Sequence, residues 1–89
     1  MSDPYGIEWR PAARKELDRL DRPVRARILR KIAALADDPR PHGVVRLTGT
    51  SDLWRIRIGD YRVVYTIEDN RLIVTVVRVA PRGAVYRAL

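Results

Sequence analysis

The distribution of apolar residues in the first half of the chain predicts two helices. The first apolar stripe lies within residues 12–20 and consists of Ala13, Leu17 and Leu20. The second stripe consists of Val24, Ile28, Ile32 and Leu35. Both stripes follow the spacing of one helical face, and Pro11 and Pro23 suit the first turns, where the missing amide proton of proline is not needed. Asp21 is expected to cap the second helix, and the short link predicts an antiparallel helical hairpin.

After Gly43 the apolar residues alternate with period two, which predicts β-strands. The predicted strands are Val44–Leu47, Leu53–Ile58, Tyr61–Ile67 and Arg71–Val79, and a β-prone segment, Tyr5–Trp9, precedes the helices. Tight turns between consecutive strands favour an antiparallel meander, and the helices must cover its apolar face because the chain has nothing else to bury it. We therefore predict one α+β domain spanning residues 1–89, with the order β-α-α followed by three or four antiparallel strands.

The segment LWRIRIGDYRVVY, which begins at Leu53, places arginines on one side of a hairpin. With a two-residue turn at Gly59 and Asp60, Arg57 lies directly opposite Arg62, and Arg55 shares their face. The other face consists of Trp54, Ile56, Ile58, Tyr61, Val63 and Tyr65. Like charges in direct opposition destabilise a sheet. The arginine face is therefore either tolerated in solvent or concentrates positive charge for a partner.

The composition indicates a folded cytoplasmic protein with a negatively charged partner. The apolar fraction of 46% is ordinary for a globular domain, and a chain without cysteine has neither disulfides nor thiolate metal sites. We find neither a membrane-spanning apolar run nor a secretory signal. The net charge is +7, and all basic residues except Lys15 and Lys31 are arginines. This excess points to a nucleic acid or an acidic protein, although a genome-wide preference for arginine codons explains much of the choice of arginine over lysine.

Other kinds of site find little support in the residues. The five glycines are scattered singly instead of forming a phosphate-binding loop, and a single histidine without cysteines or clustered carboxylates does not indicate a metal site. His42 lies between Pro41 and Gly43 and is interpreted as an ordinary loop residue. We predict neither a metal nor a cofactor. By residue chemistry alone, the arginine face is equally compatible with binding a nucleic-acid backbone and with being a solvated basic surface.

Three segments together resemble a known toxin family. Arg46-Leu47-Thr48-Gly49, then LWRIRIGDYRVVY, then VTVVRVAPRGAVY are similar in order and spacing to the RelE-type toxins of the bacterial RelE/ParE superfamily. The resemblance covers nearly the whole chain and agrees with the predicted order of elements. It implies the toxin of a type II toxin–antitoxin system. Such a toxin is a metal-independent endoribonuclease that cuts mRNA in the ribosomal A site, where a 2′-hydroxyl attacks the adjacent phosphate and a 5′-hydroxyl leaves.

The resemblance also implies which residues are functional. The family's catalytic set matches Arg55, Arg57, Arg62, Arg82 and Tyr86, and the expected RNA-binding residues are Arg46, Arg55, Arg57, Arg62 and Arg78. We expect the three sheet arginines to position the substrate and stabilise phosphorane charge, Arg82 to lie near the leaving group, and Tyr86 to stack on a base or assist the 2′-hydroxyl. Some relatives carry lysines where this chain has Arg55 and Arg57. Because arginine stays protonated, it does not readily serve as a general base, and the identity of the base stays open.

Two other functions are compatible with the same fold. A ParE-type protein poisons DNA gyrase without cleaving RNA, and a non-toxic member of the family binds only its antitoxin or RNA. The basic charge predicts an acidic cognate antitoxin, RelB-like or other, whose amphipathic helix lies against the sheet or displaces the C-terminal tail. The ribosome and mRNA are the further partners expected of a ribonuclease toxin, and a toxin–antitoxin hetero-oligomer is the expected assembly.

Overall fold

Two helices and five strands make up the fold in a computed structural model that describes residues 4–47 and 52–81. In chain order the elements are β1 (Gly6–Trp9), α1 (Pro11–Asp18), α2 (Arg22–Ala34), β2 (Val45–Arg46), β3 (Leu53–Ile58), β4 (Tyr61–Glu68) and β5 (Ile73–Pro81). Neither helix in this part of the chain is both long and apolar enough to cross a membrane. The α+β class and the order of elements predicted from the periodicity are confirmed.

The five strands form one mixed sheet in the order β1-β5-β4-β3-β2. The β3–β4–β5 meander is antiparallel, as the tight turns predict. Strand β1 instead pairs in parallel with β5, from Gly6 opposite Ile73 to Trp9 opposite Val76. A parallel pair requires a long connection, and here both helices and three strands separate β1 from β5. The sheet predicted to be antiparallel therefore has one parallel edge strand, β1. The alternation of apolar and polar residues within a strand does not specify the direction of its neighbour.

The register of the β3–β4 hairpin agrees with the one deduced from its turn. Arg57 lies opposite Arg62, and Trp54 lies opposite Tyr65. Gly59 occupies the turn with a positive φ of 59°, a left-handed conformation that glycine adopts without the steric cost of a Cβ atom. The tight turn thus sets the register of the hairpin and, with it, the face on which each side chain lies.

Both helices pack on one face of the sheet and form the main core. The buried members of this core are Ala13, Leu17, Ile28, Ile32, Leu35, Ile56, Ile58, Val63, Tyr65, Val74, Val76 and Val79. Tyr65 is the largest of them, and its hydroxyl donates a hydrogen bond to the Pro39 carbonyl at 2.8 Å. Burial raises the pKa of the Tyr65 hydroxyl. The phenol is therefore a neutral core group that fastens the loop after α2 to the centre of the sheet.

The start of α2 differs from the prediction in one detail. Asp21 occupies the N-cap position, but within the described residues its side chain makes no capping hydrogen bond. Its backbone carbonyl instead accepts the amide of Arg25 at 2.9 Å. Pro23 lies in the first turn, as predicted, and its fixed φ suits the helical conformation. The predicted capping role of the Asp21 carboxylate is therefore wrong, while the predicted helix start is correct.

Candidate functional site

Three arginines lie on the sheet face opposite the helices. Arg55, Arg57 and Arg62 alternate with core residues such as Ile56 and Val63, so their side chains leave the opposite side of the sheet. Arg57 and Arg62 are direct cross-strand partners, and such partners have Cβ atoms about 4.5–5.5 Å apart. Arg57 and Arg62, both of which are always charged, therefore extend from neighbouring positions of the sheet. Arg55 lies two residues before Arg57 on β3.

The arginines differ in how their side chains are held. Arg57 is exposed, and its Nε donates to the Gly59 carbonyl at 3.2 Å, which folds the side chain back toward the turn. Arg55 and Arg62 are half-buried, and the Nε atom of Arg62 is itself buried. From α2, Arg27 places its Nη2 atom 3.0 Å from where a Cβ on Gly59 would lie. Arg57 and Arg27, from two different elements, therefore both approach Gly59, and a larger residue there would displace Arg27.

The centre of the arginine face is apolar and covered. Val64 is 0% exposed and Ala80 is 3% exposed, and the two form a second small core. The partly buried residues packed against this pair are Leu47, Leu53 and Val77. The centre of the arginine face is thus shielded by the chain's own side chains. Charges at the border of such an apolar patch interact more strongly than they do in bulk water.

Arg78 is held by a carboxylate from α1. Its Nε and Nη2 atoms donate to Glu16, with the shortest contact, from Nη2 to Oε2, at 2.6 Å. The two side chains are 24% and 20% exposed, and the hydrogen bonds from Arg78 to Glu16 raise the pKa of Arg78. Arg78 lies opposite Val64, in the same cross-strand row as Arg55. The structure therefore places Arg78 beside the arginine face, but with its charge engaged in an ion pair with Glu16.

Arg46 lies apart from the three sheet arginines. It pairs with Trp54 in the β2–β3 ladder, so it belongs to the side of the sheet that carries the helices. Its guanidinium lies 5.7 Å from the centre of the Trp54 ring, within the range of a cation–π contact. Of the five predicted RNA-binding residues, Arg55, Arg57 and Arg62 lie together, Arg78 lies in the same row as Arg55 but pairs with Glu16, and Arg46 lies on the helix side.

A polar network beside Trp54 was not anticipated from the sequence. Arg40 donates to both carboxylate oxygens of Asp69, at 2.9 and 3.1 Å, and the hydroxyl of Tyr5 donates to the same carboxylate at 2.6 Å. Arg40 also stacks 5.0 Å from the centre of the Trp54 ring. The sequence offers no signal for this network because its members lie in three segments that are far apart in the chain. It ties the N-terminal segment, the loop after α2 and the β4–β5 turn together.

We expect this network to make stability depend on pH in the acid range. Hydrogen bonds from Arg40 and then Tyr5 lower the pKa of Asp69 from 3.8 to about 2. Since the pKa is lower in the folded state, the stabilisation is complete above the ordinary pKa and is lost as the pH falls through about 2. Asp69→Asn should therefore be less stable than the wild type at neutral pH, and the difference should shrink on acidification. Urea unfolding of both proteins from about pH 6 to about pH 2 measures this difference.

Arg40→Ala is the matched control for that experiment, because it removes the donor and leaves the carboxylate in place. Arg40→Ala should lose most of the same stabilisation at neutral pH, and its difference in stability from the wild type should likewise shrink on acidification. Parallel stability curves for the wild type and Asp69→Asn across the acid range would contradict the assignment.

Two clefts lie away from the three sheet arginines. The larger, about 680 Å³, lies at the Asn70 end of the sheet and is lined by Arg10, Asp52, Thr66, Ile67, Glu68, Asp69, Asn70 and Thr75. The smaller, about 260 Å³, lies beside the end of α2, where exposed His42 meets Lys31 and Asp38. His42 is thus a loop residue by position, as predicted. Neither of these two clefts is lined by Arg55, Arg57 or Arg62.

The remaining two predicted catalytic residues, Arg82 and Tyr86, lie outside the described residues. Arg82 directly follows Pro81, the last residue of β5. Pro81 pairs with Tyr61, and the preceding Ala80 pairs with Arg62. The last described residues of β5 therefore lie beside the strand that carries Arg62.

Comparison with known proteins agrees with this architecture. The family described as the ParE toxin of the type II toxin–antitoxin system, parDE, matches residues 7–86. Toxin RelE of Mycobacterium tuberculosis is 33% identical over 90 residues, which cover 98% of this chain and 93% of that protein. A chain of the archaeal RelE–RelB complex from Pyrococcus horikoshii superposes with a TM-score of 0.80 at 30% identity, covering 91% of this chain and 98% of that one. A chain of the intact E. coli RelBE toxin–antitoxin complex gives a TM-score of 0.78 at 27% identity, with coverage of 89% and 98%. The chain belongs to the RelE/ParE superfamily of type II toxins and is a RelE-type member of it.

Proposed function

We propose that this toxin is a ribosome-dependent endoribonuclease that cleaves mRNA in the A site. The observation that carries the proposal is the grouping of Arg55, Arg57 and Arg62 on the sheet face opposite the helices. Guanidinium groups match the geometry of phosphate oxygens, with which they make paired hydrogen bonds. An arginine group of this kind suits a reaction whose transition state carries extra negative charge on phosphorus oxygens.

The proposed reaction is an internal transfer at phosphorus. The 2′-hydroxyl oxygen of one nucleotide forms a bond to the adjacent phosphorus, and the bond to the 5′-oxygen of the next nucleotide breaks. The products are a cyclic phosphate and a 5′-hydroxyl, which takes up a proton as it leaves. The sheet arginines contribute by holding the phosphate and by stabilising the charge that develops on its oxygens.

Proton transfer is assigned to groups other than the sheet arginines. Arginine does not lose its proton at physiological pH, so Arg55 and Arg57 do not act as the base. In this proposal Tyr86 stacks on a base or assists the 2′-hydroxyl, and Arg82 lies near the leaving oxygen. Both roles come from the resemblance to RelE-type toxins and lie outside the described part of the structure.

We further propose that an acidic antitoxin binds and inhibits the toxin. The similar structures from Pyrococcus horikoshii and E. coli are complexes of RelE with RelB. The net charge of +7 favours an acidic partner segment by electrostatic attraction. Co-purification of this chain with the product of an adjacent gene tests the assignment, and an adjacent gene for a basic protein would count against it.

A gyrase poison is the second candidate, because the matching family is described as a ParE toxin. Such a protein would use the same basic surface for contacts with a protein or DNA and would not cut RNA. The two candidates differ in the first damage that follows expression. The ribonuclease stops translation, whereas the gyrase poison induces a DNA-damage response.

Induction of the wild-type chain in bacteria, followed by mapping of transcript 5′ ends, tests the proposal. We expect new 5′ ends within a few minutes, phased to codons and confined to translated regions. Blocking translation initiation before induction should remove them, because the proposed substrate is mRNA on the ribosome. Growth arrest with a DNA-damage response and without codon-phased cuts would refute the ribonuclease and support the gyrase poison.

A further inference from the structure

The end of β5 is supported by a helix side chain where its neighbouring strand stops. Strand β1 pairs with β5 only as far as Trp9 and Val76. The chain then leaves the sheet, with the Arg10 amide donating to the Val76 carbonyl at 2.9 Å, and enters α1. Beyond Val76, the amide of Val79 donates to Oε1 of Glu16 at 2.8 Å. The Glu16 carboxylate thus accepts a hydrogen bond that a neighbouring strand would otherwise accept.

The same carboxylate binds the side chain next to that amide. Both oxygens of Glu16 accept from the Nε of Arg78, at 3.1 and 2.9 Å, in addition to the contact from Nη2. One carboxylate therefore fixes both the backbone and the side chain of a two-residue segment. The Glu16 side chain is 20% exposed, whereas the side chains of Arg14 and Asp18, which pair on the same helix, are 62% and 58% exposed. Partly buried, charge-assisted hydrogen bonds are stronger than exposed ones.

The segment that Glu16 holds lies directly after an irregularity in the sheet. Val64 pairs with Arg78 while the next residue, Tyr65, pairs with Val76, which leaves Val77 as an extra residue on β5. A bulge of this kind bends its strand and redirects the side chains that follow. The hydrogen bonds from Arg78 and Val79 to Glu16 therefore fix the position of β5 directly after the bulge.

That continuation runs alongside the candidate site. After Val79, Ala80 pairs with Arg62 and Pro81 pairs with Tyr61. The next residue in the chain is Arg82. The position of β5 past the bulge therefore affects Ala80, the direct cross-strand neighbour of Arg62.

We infer that Glu16 is a positioning residue for phosphate cleavage: it anchors Arg78 and Val79 so that β5 aligns Arg62. This inference rests on the proposed ribonuclease function. Glu16 acts through β5 and does not contact the substrate. In this role Arg78 is the partner of Glu16 and is not an RNA ligand.

Single-turnover cleavage of mRNA on programmed ribosomes, with the full-length chain, tests the inference. At saturating toxin, Glu16→Ala should lower the cleavage rate constant about 10- to 100-fold, because a misplacement of about 1 Å costs up to 100-fold in rate. The toxin concentration at half-saturation should change little. Glu16→Gln should be less impaired, since its amide oxygen still accepts from the Val79 amide. Asp18→Ala, on the exposed side of the same helix, should cleave at the wild-type rate.

Two further readouts separate positioning from loss of folding. The amplitude of the reaction reports the folded fraction, and hydrogen exchange of the Val79 amide reports the anchor itself. We expect a slower rate constant at normal amplitude, with faster exchange at Val79 in Glu16→Ala. A wild-type rate constant in that variant, or a loss confined to amplitude, would overturn the inference while leaving the proposed function intact. A wild-type chain that cuts no mRNA would overturn both.

Discussion

Replacing Arg62 with alanine should lower the rate of mRNA cleavage about 100- to 1,000-fold, the loss typical when one pre-placed donor to a developing oxyanion is removed. Arg62 lies opposite Arg57 on the arginine face, and its Nε atom is buried. A guanidinium held in this way is already oriented before the phosphate arrives, so alanine removes both charge and orientation. The single-turnover rate constant on programmed ribosomes measures the effect, and relief of growth arrest gives the same answer in cells.

Two variants control this prediction. Arg62→Lys keeps the charge but loses the planar fork, and we expect a rate between those of the wild type and Arg62→Ala. Arg14→Ala removes an exposed arginine from α1, in a pair with Asp18 whose side chains are 62% and 58% exposed, and it should leave cleavage unchanged. Thermal unfolding of each variant checks that the fold is retained. If a folded Arg62→Ala protein cleaves at the wild-type rate, Arg62 is not part of the catalytic site.

Replacing Ile28 with alanine should reduce the free energy of unfolding by about 2–5 kcal/mol. Ile28 is 0% exposed in the main core, where α2 packs against the sheet. The substitution removes apolar contacts and leaves a cavity that close-packed neighbours fill only in part. A domain of this size is stable by only about 5–15 kcal/mol, so the loss is a large fraction of the total. Urea unfolding followed by circular dichroism measures it.

The neighbouring residue on the same helix provides the matched control. Leu29 is 41% exposed, and Leu29→Ala should change stability by no more than about 0.5 kcal/mol. Both variants create alanine at adjacent positions of α2, so intrinsic helix propensity contributes similarly to each. Equal destabilisation by the two substitutions would contradict the assignment of the core-facing stripe.

The arginine face illustrates a conflict between folding and function. Direct opposition of Arg57 and Arg62 costs stability, and a neutral pair at these positions would make a better hairpin. The apolar centre formed by Val64 and Ala80 compensates in part, since it buries the middle of the same face. In the proposed ribonuclease, the negative charge of the bound phosphate would relieve this repulsion.

The sequence by itself determined the features that depend on neighbouring residues. The spacing of apolar residues specified both helices, and Gly59 with Asp60 specified the hairpin register that places Arg55, Arg57 and Arg62 on one face. These features follow from the periods of helix and strand and from the geometry of a two-residue turn. The candidate site was predictable to the extent that it is built from a single hairpin.

Only the tertiary structure decided the contacts between distant segments. Glu16 meets Arg78 across 62 residues, Arg40 meets Asp69 across 29, and Tyr5 meets Asp69 across 64. The parallel pairing of β1 with β5 is of the same kind. Local patterns show that a residue is charged or that a segment is a strand, but they do not identify its partner. That choice is made when the helices and the sheet pack together, because packing alone determines which distant side chains come within hydrogen-bonding distance.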